Sequence, residues 1–414
     1  MSGNKEWWRA NLRLGLVLVC VGWWLQKLVW SNPENQWDFR IYYHAAQAWR
    51  AGLDPYDSAS LPSSLSTSGF KFSYPPYALG LFVPFTLVPL QQAAMLYLGL
   101  KLVALGSLVR IWSRLLRTGI TEPAWVLFLI FAYSSTIFVD FASGSVTTFE
   151  QWLLWMGVAA LHKERYWIYV AAVVGASLFR LTPILLLAAC FAVPDRHGSR
   201  YVAAGGVALA GILLSTYVAS PRLTVEFFES IQKNYGERGW LNPSLLPLAG
   251  DVAAIAGRTF AISVAPVVQA VIYSILALAV VVPTAITVRQ VARTEAGNRL
   301  DVILYLVCLA SALVLPRFKN YSYMLLIVPT YYIATRSIRL QRAVPLLLLA
   351  CLPVYSWITR PENIDLLANY SQWLIAFGAW GLYMYEVHGG ALLQQQGTST
   401  RSGQHTAPAA AWSR

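Results

Sequence analysis

Long apolar runs separated by short polar turns are the dominant pattern of this chain. They fall at 12–30, 76–109, 123–140, 145–161, 166–180, 182–194, 201–219, 262–288, 299–316, 320–335, 343–358 and 369–387. Several reach the roughly 20 residues that a helix needs to cross a bilayer, so the pattern predicts about twelve spans. The expected fold is an all-α membrane protein, a polytopic helical bundle. Only helices and closed barrels satisfy the backbone in lipid, and these runs are far longer than the alternating strands of about ten residues that build a barrel. The run 76–109 exceeds one simple span, and Pro84 and Pro89 are expected to divide it into a half-helix and a full helix. The stretch 166–194 reads as two short helices meeting near Thr182-Pro183. Proline-interrupted segments of this kind are tolerated where they line a protein cavity.

Two polar stretches are long, about 31–75 and 220–260. Within the first, Ile41 to Gly52 has helical spacing, with Tyr42, Ala45, Ala46 and Trp49 on one face. That predicts a short helix lying on the membrane surface, with Gly52 at the position just past its end. Residues 1–388 read as a single transmembrane domain. The remainder, 389–414, is polar and low in complexity, and is expected to be a disordered cytoplasmic tail.

Composition excludes an ordinary soluble domain, because 57% of residues are hydrophobic and only 12% charged. The net charge of +12 would suggest nucleic acid in a soluble protein. Here the basic residues cluster in alternate turns: Lys5, Arg9 and Arg13, then Arg110, Arg114 and Arg117, then Lys163, Arg165, Arg196 and Arg200. The series continues with Arg289, Arg293 and Arg299, then Arg336, Arg339 and Arg342. A cytoplasmic excess of Lys and Arg sets orientation. Both termini are therefore expected in the cytoplasm of a multi-pass cell-membrane protein with lipid, not nucleic acid, as its partner. The same orientation puts the Asp38 loop, the Asn242-Pro243-Ser244 loop and the Pro316-to-Asn320 turn on one outer face. Cys20, Cys190, Cys308 and Cys351 all lie in apolar runs without metal-ligand spacing and read as packed thiols. The first run is followed by Trp30, Asn32 and Pro33 rather than by a small-residue cleavage site, so it is expected to stay as an anchor.

Candidate chemistry concentrates in the outer segments. Asp38, in Trp37-Asp38-Phe39-Arg40-Ile41-Tyr42-Tyr43, has two readings: a general base within reach of a hydroxyl proton, or a helix N-cap. Asp54-Pro55-Tyr56-Asp57 carries a β-turn signal, and on spacing alone its carboxylates read as structural. Tyr74-Pro75-Pro76-Tyr77 opens the second apolar segment, where tyrosines serve as interface residues or as stacking partners for a sugar. Arg180, before Leu181-Thr182-Pro183, is a cation at membrane depth. Its readings are a lipid phosphate ligand and an ion pair with Asp140 or Glu150. Glu150, itself a costly acid in an apolar run, reads as that partner or, in a transporter, as a proton carrier. Arg317 and Lys319 are further cations on the same face. His44, His162, His197, His388 and His405 are scattered and suggest neither a triad nor a metal set.

These segments resemble glycosyltransferase family 87. The likeness rests on Trp37-Asp38-Phe39-Arg40-Ile41-Tyr42-Tyr43 followed by Ala45-Ala46, Gly52 and Asp54-Pro55-Tyr56, and on Tyr74-Pro75-Pro76 with Pro84 behind it. Arg180-Leu181-Thr182-Pro183 resembles a third block that usually carries Lys in place of Arg. Asn242-Pro243-Ser244-Leu245 and Pro316 resemble weaker later blocks. Two positions depart from the pattern: Gly144-Ser145-Val146-Thr147 stands where a Gly-Gln-x-Asn pattern is expected, and Arg317 and Lys319 stand where histidine is expected. The resemblance implies a GT-C-like fold and transfer of a sugar, mannose foremost, from a polyprenyl-phosphate donor to a hydroxyl of a glycolipid or cell-envelope glycan. It implies reaction at the outer face with inversion, and Asp38 as the base. Arg40, Tyr42, Tyr43, Asp54, Asp57, Tyr74, Glu150, Arg180, Arg317 and Lys319 would bind substrate. No cofactor and no metal is expected, since phosphate is already a good leaving group. The rival readings are a lipid-linked-sugar flippase or secondary transporter, and a glycan ligase or polymerase using a diphosphate-linked donor. A transporter is expected to show internal repeats and a midplane site, and the sequence shows no convincing repeat.

Overall fold

A computed structural model describes residues 36–60, 62, 72–193, 198–234, 237–259, 266–294, 296–336 and 366–389, with scattered positions between 15 and 26. Among the described residues every regular element is helical. In chain order these are α1 (Trp37–Arg50), α2 (Tyr77–Phe82), α3 (Leu90–Leu116), α4 (Pro123–Ser143), α5 (Thr147–Leu161), α6 (Tyr166–Ser177) and α7 (Gly198–Ala219). There follow α8 (Pro221–Asn234), α9 (Leu245–Thr259), α10 (Pro266–Ala292), α11 (Arg299–Val314), α12 (Ile327–Arg336), α13 (Leu366–Asn369) and α14 (Ser371–His388). Tight 3-10 segments at Val83–Leu87, Thr182–Ala192 and Asn320–Leu326 interrupt the series.

Helices α3, α4, α7 and α10 are long and apolar enough to cross a membrane, and shorter apolar helices fall at 77–87, 166–177, 182–191 and 245–257. Among the described residues the expected count of about twelve spans is not confirmed. Proline is one cause. Pro84 lies in the 3-10 segment after α2, and Pro89 stands immediately before α3, so the run 76–109 does split as its prolines predict. Thr182-Pro183 likewise opens a 3-10 helix instead of a second α-helix. The runs at 145–161 and 299–316 form α5 and α11, helices of 15 and 16 residues. The run 343–358, most of 12–30, and residues 390–414 of the predicted tail lie outside the described residues, as do Cys20 and Cys351. Cys190 and Cys308 are buried free thiols.

The main core forms around α11, which is buried without a break from Val302 to Leu313. A helix that is apolar all round belongs in the interior, and α11 packs against α10, α14 and the 182–192 helix. A second, smaller core carries the functional cleft. It joins α1, α2 and the start of α3 through Phe39, Tyr42, Tyr43, Tyr56, Tyr74 and Tyr97, with Phe227 from α8. The predicted helix at 41–52 begins four residues earlier than its spacing suggested, at Trp37. Tyr42, Ala45 and Ala46 turn into this core, while Trp49 stays 42% exposed. Gly52 does stand just past the helix end, at φ +74°.

One irregularity sets the height of α4. Tyr133, Ser134 and Ser135 adopt left-handed conformations with φ of 50°, 57° and 60°, each costing roughly 1–2 kcal/mol for an L-residue. Neighbours hold the turn in place. Gln372 donates to the Tyr133 carbonyl at 2.6 Å, and the Tyr133 and Thr330 hydroxyls meet at 2.6 Å. Just beyond, Thr136 donates to the Asn320 carbonyl at 2.7 Å and fixes the C-terminal half of α4 against the 316–320 turn.

Candidate active site

Asp38 occupies the first turn of α1, after a Gln36 cap that makes no side-chain capping bond. The N-cap reading of Asp38 therefore does not apply. The carboxylate is 9% exposed, and its Oδ2 has no hydrogen-bond partner among the described residues. Buried acceptors are normally satisfied, so an orphan oxygen asks for an explanation. Burial pushes the Asp38 carboxyl above the usual carboxylate range; Lys319, Arg180 and Lys101 pull it back, and Asp140 adds to the rise. Stacking of Phe39 on Tyr97, with ring centroids 4.4 Å apart, and the bond from Tyr43 to the Val88 carbonyl anchor this helix.

Asp38 opens into a cleft of about 220 Å³ that Tyr42, Tyr74, Arg180, Glu237, Arg317, Lys319 and Tyr321 also line. Arg180 lies between the end of α6 and the 182–192 helix. It donates to Ser322 at 3.0 Å, Ser145 at 3.2 Å and the Tyr74 hydroxyl at 3.3 Å, and its guanidinium stacks 4.9 Å from the Tyr321 ring centre. Glu150 stands 3.5 Å away as its counter-charge. The Tyr42 hydroxyl donates to Tyr74 at 2.9 Å, so a chain of polar groups runs from α1 to the arginine.

The opposite wall comes from two turns clamped together. Asn242 accepts from the Phe318 amide at 2.9 Å, and Ser244 donates to the Pro316 carbonyl at 2.8 Å. These turns, predicted on one face, are therefore in direct contact. The clamp places Glu237 between Arg317, at 2.9 Å, and Lys319, at 3.0 Å. Burial raises the Glu237 carboxyl, but Lys319 and Arg317 more than reverse this and hold it below its ordinary value. Burial and the adjoining Arg317 lower the Lys319 ammonium, against the opposing pull of Asp38 and Glu237.

The structure thus brings Asp38, Tyr42, Tyr74, Arg180, Arg317 and Lys319 to one opening. Glu150 stands behind Arg180. Arg40 and Tyr43 lie on α1 outside the cleft lining. Asp54 accepts from the Tyr56 amide at 2.8 Å, and Tyr56 donates to the Tyr74 carbonyl at 2.7 Å. Asp57 accepts from the Ala59 amide at 3.0 Å. These two carboxylates shape the loop that supports Tyr74 and do not line the cleft. Sequence reasoning missed Glu237, which no local pattern marks, and the buried Lys101–Asp140 pair, closed at 2.8 Å. A lysine in the middle of an apolar run was the available signal for the latter. Asp140 pairs with Lys101, leaving Glu150 for Arg180.

Among the described residues, no group of three or more His, Cys, Asp or Glu could hold a metal ion. A larger apolar groove of about 600 Å³, between the 182–192 helix, α10 and α11, contains no carboxylate and lies apart from Asp38. Chemically, the cleft offers a proton acceptor facing a wall of cations, as needed where an anion departs. No curated protein and no solved structure matches this chain. The model of glycosyltransferase family 87 matches residues 72–316, more than half of the chain; of the cleft it takes in Tyr74, Arg180 and Glu237, while Asp38, Tyr42, Arg317, Lys319 and Tyr321 lie outside the match. A membrane protein with this match is a glycosyltransferase, and the chain belongs to family 87.

Proposed function

We propose that the protein transfers a sugar, mannose foremost, from a polyprenyl-phosphate donor to a hydroxyl of a lipid-linked or cell-envelope glycan at the outer face of the cell membrane. The observation that carries this reading is the orphan Oδ2 of Asp38, buried at the mouth of a cleft with Arg180, Arg317 and Lys319. Asp38 takes the proton of the acceptor hydroxyl. The freed oxygen attacks the anomeric carbon from the face opposite the phosphate, and the bond from that carbon to the phosphate oxygen breaks with inversion. The leaving phosphate keeps the electron pair, and its charge falls to the cations. Guanidinium suits this task because it pairs with phosphate through two parallel bonds. A raised Asp38 pKa makes the carboxylate a stronger base than an exposed one.

The test pairs labelled polyprenyl-phosphate sugars with a membrane-lipid extract in liposomes. Wild type is expected to form a labelled glycolipid of inverted anomeric configuration. Asp38→Asn is expected to fold and to lose transfer by at least about 100-fold, the scale of a general base. Full activity in that variant would remove Asp38 from the mechanism. Movement of labelled donor across the bilayer without transfer would favour a flippase.

A further inference from the structure

Lys101 is the most deeply buried cation in the described structure whose part in the reaction is unassigned, at 1% exposure. Its ammonium has three protons, and each has an acceptor: the Asp140 carboxylate at 2.8 Å, the Asp140 carbonyl at 2.8 Å and the Ser145 carbonyl at 2.7 Å. Tyr97, one turn earlier on α3, donates to the same Ser145 carbonyl at 3.2 Å. From α5, Thr148 donates to the Asp140 carboxylate at 2.5 Å. The link Gly144-Ser145 between α4 and α5 is therefore tied down from two helices at once.

That link touches both halves of the cleft. On one side Gly144 stands at φ +70°, and a Cβ there would meet the Phe39 Cβ at 2.8 Å, the Gln36 Cβ at 3.0 Å and the Phe39 amide at 3.2 Å. These residues flank Asp38. On the other side the Ser145 hydroxyl accepts from Arg180 at 3.2 Å. Stability alone does not call for an ion pair here, because replacing a buried pair with packed apolar groups is often neutral or stabilising. What the pair adds is direction, since its bonds end on the backbone that separates base from cation.

We propose that Lys101, with Asp140, is a positioning residue for sugar transfer, setting through Gly144-Ser145 where Asp38 stands relative to Arg180. The inference rests on the reading of Asp38 as base and Arg180 as phosphate ligand. It divides the link into two arms. The Gly144 arm governs the base and hence kcat. The Ser145 arm governs Arg180 and hence the donor KM.

The experiment measures transfer per folded molecule, together with backbone amide exchange, in full-length protein in nanodiscs. Gly144→Ala is expected to lower kcat at least about tenfold with donor KM nearly unchanged, because small misplacements of reacting groups are costly. Ser145→Ala is expected to raise donor KM with kcat nearly unchanged, and Lys101→Met to change both. Gly157→Ala is the control: its Cβ would press on the Ala172 Cβ at 2.6 Å, a comparable clash between α5 and α6. It is expected to keep wild-type kcat and KM per folded molecule. In Lys101→Met, amide exchange is expected to quicken at 36–40 and 144–148 but not across α11. If Lys101→Met folds too poorly, the two arm variants and the control decide the matter alone. Wild-type kcat and KM in both arm variants, or losses matched by Gly157→Ala, would overturn the proposal. Localised exchange without any transfer by wild type from a polyprenyl-phosphate donor would bring down the functional reading and leave the link standing.

Discussion

Two ionic clusters flank Asp38, and they are built on opposite principles. Lys101 and Asp140 are 1% and 0% exposed, and every ammonium proton is engaged. Arg317, Lys319 and Glu237 are 20% to 23% exposed and line the cleft itself. The first cluster is closed to any ligand, so its charges act only on the fold around them. The second lies open to the cleft, so under the proposed function an entering phosphate would meet the same cations that Glu237 now holds. Position relative to water, more than residue type, separates a scaffold pair from a binding pair.

The largest expected difference is in stability. Lys101→Met leaves the Asp140 carboxylate buried without its counter-charge, which costs about 3–5 kcal/mol. Lys319→Met at the half-open cluster costs about 1 kcal/mol or less. Chemical denaturation of the two purified variants compares these losses, and equal losses would erase the distinction. The next effect is on ligand binding. Glu237→Gln releases two cations for phosphate, and donor KM is expected to fall severalfold with little change in stability; a higher KM would instead make Glu237 a support for the cations. The smallest effect is on pH. If Asp38 is the base, transfer needs it deprotonated, and activity is expected to decline as pH falls toward its raised pKa. Lys319 pulls that value down. In Lys319→Met the acidic limb is therefore expected at higher pH than in wild type, beneath a general loss of activity. A limb that stays in place would separate Lys319 electrically from the base.

Much of this arrangement was legible in the chain. Pro84, Pro89 and Pro183 announce where apolar runs break, because a missing amide proton acts locally. Asp38, Arg180 and Glu150 stand out because charge is scarce in such a composition, and scarcity makes each one conspicuous. Pairing was harder to read. Asp140 and Glu150 were equal candidates for Arg180, and only the packing of α3 against α4 and α5 assigns Asp140 to Lys101. Glu237 reaches the cleft because Asn242 and Ser244 grip the 316–318 turn, a contact between segments more than 70 residues apart. Nothing in the local sequence encodes that distance. The span count was harder to read for a different reason: hydropathy measures apolar length, whereas a proline-broken run or a 15-residue helix inside a bundle is supported by its neighbours.

The cleft region is close to electrically balanced, with Arg180, Arg317 and Lys319 set against Asp38, Glu150 and Glu237. A neutral mouth exerts little pull on ions in the surrounding water. Free phosphate and nucleotides would gain little by approaching it. A ligand delivered along the membrane by its own lipid anchor needs no such attraction, because two-dimensional diffusion already brings its headgroup to the right depth. Selection of the donor would then begin with how it travels, before any contact is made.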